Sequence, residues 1–396
     1  MKLLHTADWH LGQTFFDYDR KFEHSLFLTW LRQQVREQAV DVLLIAGDVF
    51  DSPNPSAESQ RVYYRFLCEV TAENPELHVI IIAGNHDSAA RLESPNVLLE
   101  MINVTVCGVV KRTAAGEIDF SHLVVPLNKG GKCLAIPYLR QGDYPEADSY
   151  AQGVQKMYEA AYEYASKDGN GPIIALGHLQ ATGSEISDFD RSERTVIGGL
   201  ECVSPDSFSR GIAYTALGHL HRGQRVSGRE NVRYSGAPLP MSFAERHNRQ
   251  GVVLVTIEGE ETAIERLEFE APAKLLSLPD KACPLDQVLE KIAELSDGES
   301  SATSPYLEIK VLITEPEPSL RHQIEEALKG KSVRLARLSA VVPRGNVEVN
   351  TITYEELKTI QPMEMACDIF RRKFGGEEMP DKMRSLLQSV IQEVER

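Results

Sequence analysis

In Val42-Leu43-Leu44-Ile45-Ala46-Gly47-Asp48-Val49-Phe50-Asp51 five apolar residues run straight into Gly-Asp. A short apolar run without alternation reads as a strand buried on both faces, of the parallel type. The same arrangement recurs along the chain. Residues 2–6 lead to Asp8-Trp9-His10, and residues 79–83 to Gly84-Asn85-His86-Asp87. Residues 173–176 lead to Gly177-His178, and residues 214–217 to Gly218-His219-Leu220-His221. Polar groups that recur only after strand C-terminal ends predict one site assembled by a sheet, in an α/β fold.

Carboxylates, an amide and imidazoles suit a pair of divalent cations. The Asp-x-His spacing predicts Asp8 and His10 on one face of an extended segment, with Trp9 packed on the other. His219 and His221 repeat that spacing around Leu220. Asp48 has two carboxylate oxygens and is the expected bridge between cations. Gly47 would let the backbone approach them. Asn85 offers an amide oxygen after Gly84, which permits a tight turn. His86 adjoins Asn85 and must point elsewhere. It is expected to face substrate, steadying phosphoryl charge or protonating the leaving oxygen. His178 completes the set. A lone buried histidine is usually a hydrogen-bonded structural residue, and His5, His24, His78, His122, His247 and His322 are read so. Five clusters after five strand-like runs predict metal-assisted hydrolysis of a phosphate ester.

A chain of 396 residues predicts two or three domains. Its 42% hydrophobic content is that of a soluble globular protein. No apolar run approaches the roughly 20 residues that span a bilayer. The N-terminus lacks a charged segment followed by an apolar one, and a cleavable leader would remove Asp8 and His10. The expectation is a cytoplasmic protein with no membrane partner. The six cysteines are scattered without a C-x-x-C pair, as reduced core residues are. The net charge of −16 argues against a basic face covering the chain. It does not exclude a nuclease, because bound cations invert the local field and a partner can supply basic surface.

Residues 1–270 alternate strands with helices. Residues 20–38 form a helix, with Phe22, Leu26, Phe27, Trp30, Leu31 and Val35 at helical spacing. Ser56 caps a helix running to about residue 70. Residues 104–139 hold shorter strands and 149–167 a helix. Strands at 231–234, 251–257 and 263–269 are close enough in sequence to be antiparallel neighbours. Residues 271–345 form a small α/β unit, with helices at 284–295 and 319–328, strands at 306–313 and 333–342, and a loop at 296–304. A linker follows Pro343-Arg344-Gly345. Helices at 354–374 and 380–394, separated by Gly375-Gly376, close the chain. Leu357, Ile360, Met363, Met365, Ile369 and Phe370 make the first apolar, and beyond a linker it needs something to pack on.

These motifs over residues 1–270 resemble the signature of the calcineurin-like metallophosphoesterases. His5-Thr6-Ala7-Asp8-Trp9-His10-Leu11-Gly12, Gly47-Asp48-Val49-Phe50-Asp51 and Tyr234-Ser235-Gly236-Ala237-Pro238 are similar to the DNA-repair nuclease branch. The resemblance implies a four-layer α/β sandwich, a small capping domain and C-terminal helices that dock on the coiled-coil base of the SbcC ATPase. It implies two Mn2+ ions, with Mg2+ as the alternative. One ion is then held by Asp8, His10, Asp48 and His221, and the other by Asp48, Asn85, His178 and His219. His86 takes the place of the family's catalytic histidine, and a metal-activated hydroxide attacks phosphorus. The implied activities are exonuclease on duplex ends and endonuclease on single strands or hairpins, in DNA repair and recombination. The implied assembly is a homodimer within a heterotetramer. At Asp51 the chain departs from the pattern: relatives place a second functional histidine there, and a carboxylate cannot donate as an imidazole does.

Arg20 and Arg222 are the leading candidates for DNA phosphate contacts, followed by Lys21, Arg91, Arg140 and Arg246. Lys329, Lys331, Arg334, Arg337 and Arg344 give the capping unit a candidate DNA-facing edge. Two rivals remain. One is a small-molecule phosphodiesterase or phosphoprotein phosphatase on the same fold, which needs neither cap nor tail helices. The other is a catalytically silent DNA-end scaffold, which needs no intact ligand set.

Overall fold

Leu3 and Leu4, neighbours on strand β1 (Lys2–Thr6), are both fully buried, in two different cores. Strands β4 (Val42–Ala46) and β5 (His78–Ile82) repeat the division with Leu44 against Leu43 and Ile80 against Ile81. A strand apolar on both faces must be covered on both. One face packs on helices α1 (Lys21–Glu37) and α2 (Ala57–Glu73) through Phe27, Leu31, Tyr63 and Leu67. The other packs on a second sheet through Ala135, Ile174, Leu176 and Ala216. The far side of that sheet carries α3 (Tyr150–Ser166), whose Met157, Tyr158 and Ala161 meet Leu134, Ala175 and Leu217. The layers run helix, sheet, sheet, helix, the expected four-layer sandwich. Each fully buried Leu or Ile contributes about 1.5–3 kcal/mol.

The computed structural model describes residues 1–167, 169, 171–184, 202–226, 228–313 and 317–342, and residues 363, 366–367, 370–371, 379–380 and 382–387 of the tail. In the first sheet the order is β14 (Glu261–Glu268), β13 (Gly251–Glu258), β1, β4, β5 and β6 (Val104–Cys107). Strands β1, β4, β5 and β6 are parallel, whereas β13 runs antiparallel to β1. In the second sheet the order is β11 (Gln224–Val226), β12 (Arg229–Tyr234), β10 (Ile212–Gly218), β9 (Ile173–His178), β8 (Lys132–Ala135) and β7 (Val124–Pro126). One sequence expectation is corrected here. The strand at 231–234 belongs to the second sheet, parallel to β10, and of these three strands only β13 and β14 pair with each other. Their connection is two residues, with Gly259 at φ +61°, as a tight hairpin demands.

After the short hairpin β2 (Thr14–Phe15) and β3 (Tyr18–Asp19), the remaining sheet lies downstream. Strands β15 (Leu275–Cys283), β16 (Tyr306–Leu312) and β17 (Arg334–Val341) are parallel, joined through α4 (Leu285–Ala293) and α5 (Leu320–Ala327). Val288, Ile292, Leu307, Ile309 and Ile324 give them a core of their own. β15 was not anticipated, because Pro279 interrupts its pattern. Residues 1–341 form one unit and 342–396 another. In the tail, Met363, Ala366, Cys367, Phe370 and Arg371 are helical, as are residues 382–387. Leu357, Ile360, Met365 and Ile369 lie outside the described residues. Among the described residues no helix is long and apolar enough to cross a membrane.

Candidate metal centre

Strand β1 ends at Thr6, and the chain does not continue extended. Asp8, His10, Asp48 and His219 have φ of 54°, 47°, 49° and 96°. Asp8 and His10 therefore converge through left-handed turns, not by sharing one face of an extended segment. Such backbone costs about 1–3 kcal/mol per residue and persists only where neighbours over-determine it. Here Asp8 N donates to Gly47 O and His10 N to Asp48 O, both at 3.0 Å. His219 N donates to Asp8 Oδ1 at 2.9 Å. Trp9 is buried edge-on to Phe27 and Phe66, and Leu220 is buried too, as expected.

The site is shared by the ends of two sheets, not one. The loops after β1, β4 and β5 meet those after β9 and β10. Asp48 Oδ2 lies 3.7 Å from His10 Nε2 and 3.2 Å from His178 Nε2. Asn85 Oδ1 lies 2.9 Å from His178 Nε2 and 3.0 Å from His219 Nδ1. Ligand atoms of Asp8, His10 and His221 fall within 4.8 Å of one another, as do those of Asp8, Asp48 and His178. All seven expected ligands thus converge. Gly84 serves close approach and not a turn: a Cβ there would sit 2.0 Å from Asp48 Oδ1.

Asp8 Oδ2 and His10 Nε2 are buried without a hydrogen-bond partner. Each such group costs about 1–3 kcal/mol unless something else satisfies it. Converging oxygen and imidazole donors of this kind fit two divalent cations. Burial would raise the Asp48 carboxyl, but His178, His10 and His86 hold it well below the usual range. Burial pushes Asp8 up, against His178 and His221. Burial would lower His178, but Asp48 and Asp8 push it up to about 9. A cation competes for the pocket that retains this proton.

Asp87 is buried and accepts backbone N–H bonds from Gly84 at 2.9 Å, Phe50 at 3.0 Å and Val49 at 3.2 Å, latching the β4 and β5 loops together. Burial and the nearby Asp48 charge push it up to about 6. His86 Nδ1 lies 3.0 Å from the Asp51 carbonyl, which can only accept. That bond puts the proton on Nδ1. The Asp51 carboxylate lies 3.2 Å from His10 Nδ1. Glu245, 1% exposed, lies 3.7 Å from His221 Nδ1. The sequence assigned no role to Asp87, although it lies in a quoted motif, and did not mark Glu245. Asp87 closes the Gly-Asn-His-Asp motif, and the Ser-x-x-Glu pattern ending at Glu245 resembles a helix cap.

Arg20 is a correction. It is fully buried, with Nη2 on Glu23 at 2.8 Å, and Nη1 on the Pro240 carbonyl at 2.7 Å and on Gln13 at 3.1 Å. It sits at the N-cap of α1, braced between elements, and cannot reach DNA phosphates. Arg334 is buried as well, 3.7 Å above the Tyr306 ring centroid. Lys21, Arg246, Lys329, Lys331 and Arg337 are ion-paired, and Arg344 lies outside the described residues. Arg91 hydrogen-bonds Asn54, and Arg140 lies over Tyr138. Arg222 is exposed immediately after His221.

Residues 1–223 match the calcineurin-like phosphoesterase family, and residues 272–374 match the type 5 capsule protein repressor C-terminal domain. A relative from Rhodobacter capsulatus, named as the SbcD component of the nuclease SbcCD, is 36% identical over 360 residues, 87% of this chain and 88% of the relative. The Escherichia coli K12 protein of that name is 30% identical over 409 residues, 99% of this chain and 97% of the relative. The Bacillus subtilis one is 31% identical over 279 residues, 66% and 68% of the two chains. The chain belongs to the calcineurin-like phosphoesterases, in the SbcD branch of metal-dependent nucleases.

Proposed function

We propose that the protein is a Mn2+-dependent DNA nuclease, an exonuclease on duplex ends and an endonuclease on single strands or hairpins. It acts in DNA repair and recombination, in the cytoplasm, with the SbcC ATPase. The observation that carries the chemistry is Asp48 Oδ2, buried between the Nε2 atoms of His10 at 3.7 Å and His178 at 3.2 Å. Asp8, His10, Asp48 and His221 would hold one cation, and Asp48, Asn85, His178 and His219 the other. When bound, the pair supplies a nucleophile active at neutral pH and neutralises charge on the phosphoryl group. Imidazole alongside carboxylate favours Mn2+ over Mg2+. His86, oriented through Nδ1 by the Asp51 carbonyl, presents Nε2 to the leaving oxygen. Arg222 contacts a DNA phosphate.

Residues 1–270 are the nuclease domain, 271–345 the cap, and 346–396 the linker and the helices that dock on the ATPase. Val97, Leu98 and Met101, exposed by 77%, 69% and 82%, support a homodimer within the heterotetramer, since such side chains cluster at interfaces. The test is digestion of linear duplex DNA by the full chain, with and without Mn2+ and with and without the ATPase. Metal-dependent degradation stimulated by ATP is expected. Hydrolysis of small phosphodiesters with no action on any DNA would overturn the reading.

A further inference from the structure

We infer that Asp51 and Glu245 are positioning residues that back His10 and His221 from outside the metal centre and tighten one cation selectively. The inference rests on the two-cation reading above. His10 turns Nε2 toward Asp48, so only Nδ1 is left for the protein, and Asp51 Oδ1 stands 3.2 Å from it. The contact is electrostatic, because the carboxylate lies off the ring N–H direction. His221 Nδ1 faces Glu245 Oε1 at 3.7 Å, likewise an electrostatic contact and not a hydrogen bond. Glu245 is itself fixed, accepting Met241 N at 3.0 Å and the Ser242 hydroxyl at 3.4 Å. These two bonds hold the carboxylate in place, so its charge faces His221 from a fixed position.

The other cation lacks this backing at His178. There Nδ1 donates to the Ala46 carbonyl at 2.9 Å. A carboxylate beside an imidazole makes it a more basic ligand than a carbonyl does, and because neither contact here is a hydrogen bond, removing one should cost about tenfold in metal affinity, the low end for such partners. The two backing carboxylates come from unrelated parts of the chain: Asp51 follows β4, and Glu245 lies in the segment between β12 and β13. Both serve the Asp8, His10 and His221 side.

The test is titration of the metal-free full chain with Mn2+, by calorimetry and electron paramagnetic resonance. Wild type should bind two ions and show an exchange-coupled spectrum. Failure of that arm would sink the two-cation reading itself, apart from the present inference. Glu245→Gln keeps an acceptor for Met241 and removes the charge, and Asp51→Asn does the same at His10. Each should weaken one ion about tenfold and leave the other unchanged. A six-line mononuclear spectrum should then appear at intermediate Mn2+. Asn85→Ala should weaken the opposite ion, so its combination with Glu245→Gln should weaken both. Glu245→Asp, with the charge on a shorter arm, should bind better than Glu245→Gln. The inference falls if both single variants bind two ions as wild type does. It falls if the combination keeps one tight ion, or if Glu245→Asp binds worse than Glu245→Gln, which marks a packing role. Should Glu245→Gln not fold, Asp51→Asn alone decides.

Discussion

Asp48 accepts the backbone N–H of His86 on Oδ1 at 2.9 Å, so the expected bridging carboxylate and the expected catalytic histidine are held by one bond. The bond spends one Asp48 oxygen on the β5 loop and leaves Oδ2 for the cations. Asp87 latches the same two loops a few ångströms away. Ligand placement and His86 placement are therefore not independent, although their chemical roles are.

His86→Gln is expected to keep the fold and two Mn2+ ions while lowering DNA cleavage about 10²–10⁴-fold, the usual contribution of a general acid. Calorimetry with Mn2+ and a digestion assay on the same preparation check this. Loss of one ion would make His86 a ligand.

Arg20→Ala should lower stability without touching DNA contacts. It strips Glu23 of its nearest cation in a buried setting, a change worth about 3–5 kcal/mol. The Tyr306 hydroxyl still serves Glu23, which favours the lower end. Urea midpoints read the loss. The salt dependence of DNA binding should stay as in wild type, whereas Arg222→Ala should reduce its slope by about one. Equal slope changes in the two variants would contradict the burial of Arg20.

Burial pushes His5 and His24 down to about 3 from the ordinary histidine value. The unfolded chain protonates these rings near pH 6.5 and the folded chain does not. Their contribution to stability is therefore complete above pH 6.5 and is lost as pH falls from there toward 3. The slope approaches about 1.4 kcal/mol per pH unit for each ring. Denaturant midpoints between pH 7.5 and 4.5, with chelator present so that cation release plays no part, should fall more steeply for wild type than for His5→Gln. Parallel curves would remove His5 from the explanation.

Truncation after Asn350 should leave Mn2+-dependent cleavage of single-stranded DNA or model phosphodiesters largely intact. It should abolish co-purification with the ATPase and ATP-stimulated duplex digestion. A stable complex with the truncated chain would refute the docking role, and an unfolded product would mean the helices pack on their own chain.

Much of this was legible in the sequence, because each ligand follows an apolar run that can only be a buried strand. The four layers follow from runs such as 42–46, which are apolar at consecutive positions and need cover on both faces. The left-handed turns at Asp8, His10 and Asp48 were not legible, since spacing alone assumes an extended chain. Glu245 was hidden because its partner His221 lies in a separate loop, brought near only by packing. Arg20 misled for the opposite reason. A cation beside a motif suggests solvent, and only the fold reveals Glu23, Gln13 and the Pro240 carbonyl around it.

Anomalous diffraction at the manganese edge, from crystals of wild type and of Asp48→Asn in saturating Mn2+, goes to the heart of the mechanism. Two peaks roughly 3.5–4 Å apart should flank Asp48 Oδ2 in wild type. One should lie toward Asp8, His10 and His221, and the other toward Asn85, His178 and His219. Asp48→Asn should lose both. A single peak in wild type, or two undiminished peaks in Asp48→Asn, would show that this is not a two-cation centre bridged by Asp48.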